Sequence, residues 1–192
     1  MNEIVLVRHG ETEWSAEGRH TGRTDVPLTA RGERQAKAVI PLIEGREFAL
    51  VLSSPLQRAV RTAEIAALPN VKLDADLREW DYGDYEGLTT SEIRDRRPDW
   101  FLWRDGVPDG ETLADVGARA DRAISRVQQA LGNGDVAVVA HGHFLRVLGA
   151  RWVRLDPSCG AHLALDTATV SVLGFEHAEP VIRLWNQAPQ QS

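Results

Sequence analysis

Three short apolar runs in the sequence are continuous rather than alternating: Ile4-Val5-Leu6-Val7, Leu50-Val51-Leu52 and Val136-Ala137-Val138-Val139-Ala140. An alternating run has one dry face. A continuous run asks for burial on both faces, which a parallel sheet covered by helices provides. Helical periodicity fills the intervals. Thr29 can cap a helix reaching about residue 44, with Ala36, Val39, Ile40 and Ile43 on one face and Pro41 placed to kink or end it. Ser54-Pro55-Leu56-Gln57 reads as N-cap, N1 proline and capping-box glutamine of a second helix. A third runs from about 112 to 131, with Leu113, Val116, Ala120, Ile124, Val127 and Leu131 spaced by three or four. A fourth follows Gly142 and reaches about residue 154. Two more strands, 169–175 and 181–185, are expected around a turn at Glu179-Pro180. Strands alternating with helices give an α/β fold, a three-layer α/β/α sandwich with a mostly parallel central sheet.

The 192 residues suit one domain, with a loop-rich insertion at about 76–110. That insertion is rich in Asp, Glu, Trp, Gly and Arg. It is expected to hold at most two short helices and to cover the sheet edge over the active site. The net charge of −6 speaks against a general nucleic-acid binder. Among the 22 basic residues only Lys37 and Lys72 are lysines, so arginine is the main cationic tool. Cys159 is the only cysteine, which excludes an intramolecular disulfide and a cysteine-based zinc site. The N-terminal apolar run is four residues long. A signal peptide needs about 7–15 and a membrane span about 20. A cytoplasmic protein without membrane contact is expected, and a homodimer is compatible with the sequence.

The residues just after each run carry the chemistry. The first run leads into Arg8-His9-Gly10, the second into Ser53-Ser54-Pro55 with Arg58 in the next helical turn, and the third into His141-Gly142-His143. Ligands of open parallel sheets bind beyond the carboxyl ends of the strands. Neighbouring strands lie about 4.8 Å apart. If the three runs are neighbours, Arg8, His9, Arg58 and His141 converge, and helix N-termini add partial positive charge at the same edge. An acidic chain has then gathered its cations into one crevice. Its natural occupant is a small dianion, with phosphate the first candidate.

Two histidines with two arginines suggest phosphoryl transfer. A neutral imidazole can attack phosphorus, and arginines hold the phosphoryl oxygens and stabilise their charge in the transition state. The departing alkoxide needs a proton from a nearby carboxylic acid. Glu79, Asp81, Asp84 and Glu86 all lie in one stretch, and chemistry alone does not choose among them.

The stretch Leu6-Val7-Arg8-His9-Gly10-Glu11-Thr12-Glu13-Trp14 resembles the opening motif of the histidine phosphatase superfamily, the phosphoglycerate mutase-like family. Ser53-Ser54-Pro55-Leu56-Gln57-Arg58-Ala59 resembles its second motif, His141-Gly142 its third, and Thr21-Gly22 a phosphate-side loop. The likeness covers nearly the whole chain. It implies that His9 is the phosphorylated nucleophile and that Arg8, Arg58 and His141 complete the phosphate pocket. It singles out Glu79 as the proton donor, because Leu77-Arg78-Glu79 followed by Tyr82-Gly83 is similar to the acid-bearing segment. Ser15, Thr21, Gly22, Tyr82 and Gly142 fall on the substrate side, and Glu11 is read as supporting structure.

The resemblance is strongest to a branch of acid phosphatases and sedoheptulose bisphosphatase-like enzymes. It implies hydrolysis of small phosphomonoesters, sugar phosphates above all. No cofactor is expected, and no metal, because the pocket supplies its own positive charge. A cofactor-dependent phosphoglycerate mutase is the alternative. Such mutases carry Arg-His-Tyr-Gly after the acid, where this chain has Trp80-Asp81-Tyr82-Gly83, and Asn where it has Ser15. They are also longer, with a segment that closes over the phosphoenzyme. A catalytically weak phosphate-binding module is the second alternative. Histidine ligation of a metal through His9, His20, His141 and His143 is weakly supported, since two arginines would repel the cation. His20, His143 and His162 receive no role.

Overall fold

The computed structural model describes residues 2–189. Its six strands are β1 (Ile4–Arg8), β2 (Phe48–Ser53), β3 (Lys72–Leu73), β4 (Asp135–Ala140), β5 (Val170–Glu176) and β6 (Glu179–Gln187). They form one sheet in the order β3-β2-β4-β1-β5-β6. β1, β4, β2 and β3 run parallel, while β5 pairs antiparallel with β1 and with β6. The mostly parallel sheet is as expected, and the three apolar runs are consecutive neighbours. The register Arg8↔Ala140 and Ser53↔Val139 brings their carboxyl ends level.

Eight α-helices surround the sheet: α1 (Glu13–Ala16), α2 (Ala30–Ala38), α3 (Ile40–Ile43), α4 (Gln57–Ile65), α5 (Thr90–Arg96), α6 (Leu102–Asp105), α7 (Leu113–Ala130) and α8 (Gly142–Trp152). Alternate strand residues point to opposite faces, so each run feeds two cores. Val5, Val7, Val51, Ala137 and Val139 pack with Val39, Ile43, Ala59 and Ala63 from α2 to α4. Ile4, Leu6, Leu52, Val136 and Val138 pack with Val116, Ala120 and Val127 of α7 and Phe144, Leu145 and Leu148 of α8. Trp80, Trp100 and Trp103 join this second core, so the 76–110 segment is anchored by its aromatic residues. It holds two short α-helices, α5 and α6.

The helix begun by Thr29 breaks after Ala38 and resumes over Ile40–Ile43, the interruption expected at Pro41, which has no N–H to continue the ladder. Two local expectations are corrected. Ser54 does not cap α4, which starts at Gln57 with Leu56 as N-cap. The Ser54 hydroxyl is taken by His141, and the Gln57 N–H is instead received by Asp25 Oδ1 at 2.8 Å. The turn of the last hairpin is His177-Ala178, not Glu179-Pro180. Both residues have positive φ (48° and 70°), which suits a tight hairpin, and Pro180 sits inside the edge strand β6.

Candidate active site

The loop after β1 is held by a close backbone crossing. A Cβ on Gly10 would lie 2.3 Å from the Gly32 carbonyl oxygen, and one on Gly32 would lie 2.0 Å from that of Glu11. Only glycine permits this approach. Thr62 adds a tie: its hydroxyl accepts the Gly10 N–H at 3.1 Å and donates to the Arg58 carbonyl at 2.7 Å. Glu11 accepts from the Thr29 hydroxyl at 2.9 Å and pairs with Arg31 at 3.2 Å, a supporting part as expected.

His9 is buried, and its Nδ1 lies 2.7 Å from the Gly10 carbonyl. A carbonyl only accepts, so Nδ1 carries the ring proton and Nε2 keeps its lone pair. Burial first, then Arg58 and Arg8, push His9 well below the usual histidine range, so the ring is neutral. Arg8 is half-buried beside it. Its Nη1 donates to the Leu165 carbonyl, and its Nε has no hydrogen-bond partner among the described residues. A Cβ on Gly142 would come within 3.2 Å of Arg8 Cζ, so the first residue of α8 leaves room for the guanidinium.

Arg58 and His141 stand behind His9, both with no exposed surface. Arg58 donates from Nε to His141 Nδ1 at 3.2 Å and to the carbonyls of Thr21, Gly22 and Thr24 at 2.9–3.0 Å. His141 Nδ1 therefore accepts, and Nε2–H donates to Ser54 Oγ at 2.7 Å. The His9 and His141 rings meet edge to face, 5.1 Å between centroids. Burial, then Arg58, also keep His141 neutral.

A cavity of about 390 Å³ opens in front of these residues. Arg8, His9, Ser15, Thr21, Glu79, Tyr82 and Gly142 lie on its wall, and Arg58 and His141 do not. The Ser15 hydroxyl is used within the capping box of α1, donating to the Thr12 carbonyl at 3.0 Å. The Thr21 hydroxyl donates to the Arg19 carbonyl at 3.1 Å. Gly22 faces a neighbouring cavity, and its N–H goes to the Glu86 carboxylate at 2.9 Å. Trp100 and Trp103 are buried and line the cavity as well. His162 is exposed and off the cavity.

Glu79 is the acid that reaches this cavity. Asp81 faces the neighbouring cavity, where Arg23 holds it at 2.6 Å, and Glu86 is spent on the 22–24 loop. Glu79 Oε1 accepts the N–H groups of Trp80 and Phe144 at 2.9 and 2.8 Å, and Oε2 accepts that of His143 at 3.0 Å. Oε2 thus keeps a lone pair for a proton. The 76–79 stretch is pinned by Arg119, a residue that no sequence motif marks. It forks onto Glu111 at 2.7 and 2.8 Å and donates to the carbonyls of Asp76 and Arg78. Among the described residues no group of three or more His, Cys, Asp or Glu side chains is placed to hold a metal ion.

A neutral imidazole with a free Nε2, two arginines and one carboxyl group gathered at a strand-end crevice make an arrangement suited to phosphoryl transfer. The model of the histidine phosphatase superfamily (branch 1) matches residues 4–188, and the chain belongs to that family. It is 44% identical over 178 residues to an acid phosphatase of Mycobacterium tuberculosis, covering 92% of this chain and 88% of that one. It is 39% identical over 182 residues to sedoheptulose 1,7-bisphosphatase of Saccharomyces cerevisiae, covering 79% of this chain and 67% of that one. The solved structure of open reading frame Rv3214 from M. tuberculosis superposes with a TM-score of 0.93 at 41% identity, covering 98% and 99% of the two chains. The chain is a phosphoric monoester hydrolase of this superfamily. No helix of the described residues is long and apolar enough to cross a membrane.

Proposed function

We propose that the protein hydrolyses small phosphomonoesters, sugar phosphates in particular, in two steps through a phosphohistidine at His9. The observation that carries this is the pairing of a neutral His9, its Nε2 lone pair free, with the buried, unpartnered Arg8 Nε–H beside it. In the first step Nε2 attacks phosphorus, the P–O bond breaks, and Glu79 Oε2 gives its proton to the departing alkoxide oxygen. Arg8 stabilises the equatorial oxygens, and Arg58 and His141 back the pocket with positive charge and ring orientation. In the second step Glu79 takes a proton from water, the resulting hydroxide attacks phosphorus, and the N–P bond breaks to release phosphate. The positive charge comes from the arginines, so no metal or cofactor takes part. In this reading residues 1–192 act as one domain, with 76–110 as the cover of the leaving-group side. The acid phosphatase and bisphosphatase relatives support hydrolysis of a phosphorylated metabolite, and a single cysteine fits a reducing, cytoplasmic setting.

The test is to trap the intermediate. Rapid alkaline quench of wild type with ³²P-labelled substrate should give an acid-labile, base-stable phosphoprotein. His9→Ala should lose both label and turnover. Label that persists in His9→Ala overturns the assignment of the nucleophile.

A further inference from the structure

The cavity has a second wall that the proposed chemistry leaves unused. There the rings of His20 and His143 are parallel, 1° apart in plane and 6.2 Å between centroids. Burial holds both below the usual histidine range, so each ring carries one proton. His20 Nδ1 lies 2.8 Å from the Leu88 carbonyl and must donate to it, which leaves Nε2 as an acceptor. His143 Nδ1 lies 2.6 Å from the Tyr82 hydroxyl. Burial keeps the Tyr82 phenol protonated, and its O–H has no other acceptor among the described residues. The phenol therefore donates to Nδ1, and the His143 ring proton sits on Nε2.

The two imidazoles thus offer opposite polarities. His20 presents a lone pair and His143 presents an N–H, and neither Nε2 has a protein partner among the described residues. Trp100 stands edge-on to His20 and Trp103 edge-on to His143, each 5.5 Å between centroids. A hydroxyl group is both donor and acceptor and can satisfy this pair. A carboxylate or phosphate brings acceptors only and would face the His20 lone pair. An alkyl or aryl group would leave both nitrogens unpaired. Arg146, a cation on this wall, already donates to the carbonyls of Gly160 and Ala161 and lies over Trp103.

We propose that His20 and His143 are specificity-determining residues that bind hydroxyl groups of the leaving alcohol, the substrate donating to His20 Nε2 and accepting from His143 Nε2–H. Tyr82 is their positioning residue, since its O–H sets the His143 tautomer. This rests on the phosphatase reading above and narrows it to phosphorylated polyols and sugars. Sites built to pair a substrate hydroxyl discriminate strongly against analogues that lack it.

The test uses a matched pair of probes, ribitol 5-phosphate and n-pentyl phosphate, with p-nitrophenyl phosphate as control. In wild type, kcat/KM for ribitol 5-phosphate should exceed that for n-pentyl phosphate by at least about tenfold. His20→Phe and His143→Phe should each remove most of that ratio, while turnover of p-nitrophenyl phosphate falls less than about threefold. Tyr82→Phe frees the tautomer and should lower the ratio by a smaller factor. A wild-type ratio near one, measured without any variant, overturns the inference while the phosphatase reading stands. Equal loss on all three substrates in both histidine variants also overturns it, because their role is then structural. If wild type hydrolyses none of the three, the phosphatase reading falls and takes this one with it.

Discussion

The Glu79 carboxylate accepts the backbone N–H of His143 at 3.0 Å, so an acid from the 76–110 segment caps the helix whose start carries the third motif. The Phe144 N–H joins it at 2.8 Å. One side chain thereby fixes helix α8 and stands on the cavity wall beside His9.

Glu79→Gln should separate these two roles. An amide still accepts one or two of the N–H groups but cannot donate a proton as an acid does. General acid catalysis contributes about 10²–10⁴-fold, and a sugar alkoxide needs it where p-nitrophenolate does not. Glu79→Gln should lose most of that factor on a sugar phosphate and far less on p-nitrophenyl phosphate. Asp81→Asn, Asp84→Asn and Glu86→Gln should show no such asymmetry. Steady-state kinetics on the two substrates decides, and an asymmetry in one of the other three would move the acid there.

Stability should fall steeply on mild acidification. His9, His141 and His143 are held by burial and nearby arginines well below the usual 6.5. The unfolded chain therefore binds protons that the folded chain refuses. Stability is full above about 6.5 and is lost as pH falls from there through the depressed folded values, at about 1.4 kcal/mol per pH unit for each histidine. Three together approach about 4 kcal/mol per pH unit. Urea midpoints followed from about pH 7 to 5 would reveal the slope, and His143→Phe should reduce it by about one third. A level profile would contradict the neutral cluster.

Gly142→Ala should trade activity against stability. The new methyl would stand 3.2–3.3 Å from the Arg8 guanidinium, whose Nη1 is tied to Leu165 and resists moving. Displacement by a few tenths of an ångström should cost roughly tenfold in kcat/KM. Helix propensity favours alanine by up to about 1 kcal/mol, so the melting temperature should hold or rise. Falling stability with unchanged kcat/KM would mean that Arg8 has another way to relax.

Arg119→Lys should keep the charge and lose the fork. Lysine cannot span both Glu111 oxygens and the carbonyls of Asp76 and Arg78. The expected cost is about 1.5–3 kcal/mol of stability, from hydrogen bonds to charged groups. Because the stretch leads into Glu79, kcat on a sugar phosphate should fall more than kcat on p-nitrophenyl phosphate. Denaturant unfolding and the two rates check this together.

The strands and the residues at their ends are legible in the sequence because their signal is local. A run such as Val136 to Ala140 states its own burial, and His141-Gly142 occupies the next two positions. The features that sequence reasoning misses are supplied from a distance. Asp25 caps α4 across 32 positions, so Ser54, with its expected cap residues beside it, is free to hold His141. The Arg119–Glu111 fork has ordinary i, i+8 spacing and no motif of its own. The opposite polarities of His20 and His143 depend on Leu88 and Tyr82, which no pattern around either histidine announces. The hairpin turn is misplaced by sequence reasoning because Pro180 is the stronger turn signal, yet β6 is an edge strand where proline is tolerated.

The position of β1 at the heart of the sheet also bears on biosynthesis. Its partner register Ile4↔Val136 joins the first strand to one that leaves the ribosome 132 positions later. At about 5–20 residues per second, β1 waits on the order of ten seconds for either neighbour. During that interval Arg8 and His9 sit on an unpaired apolar segment. The strand is therefore made long before the neighbours that bury it, and a mutation that weakens β4 should show first as lost yield during translation.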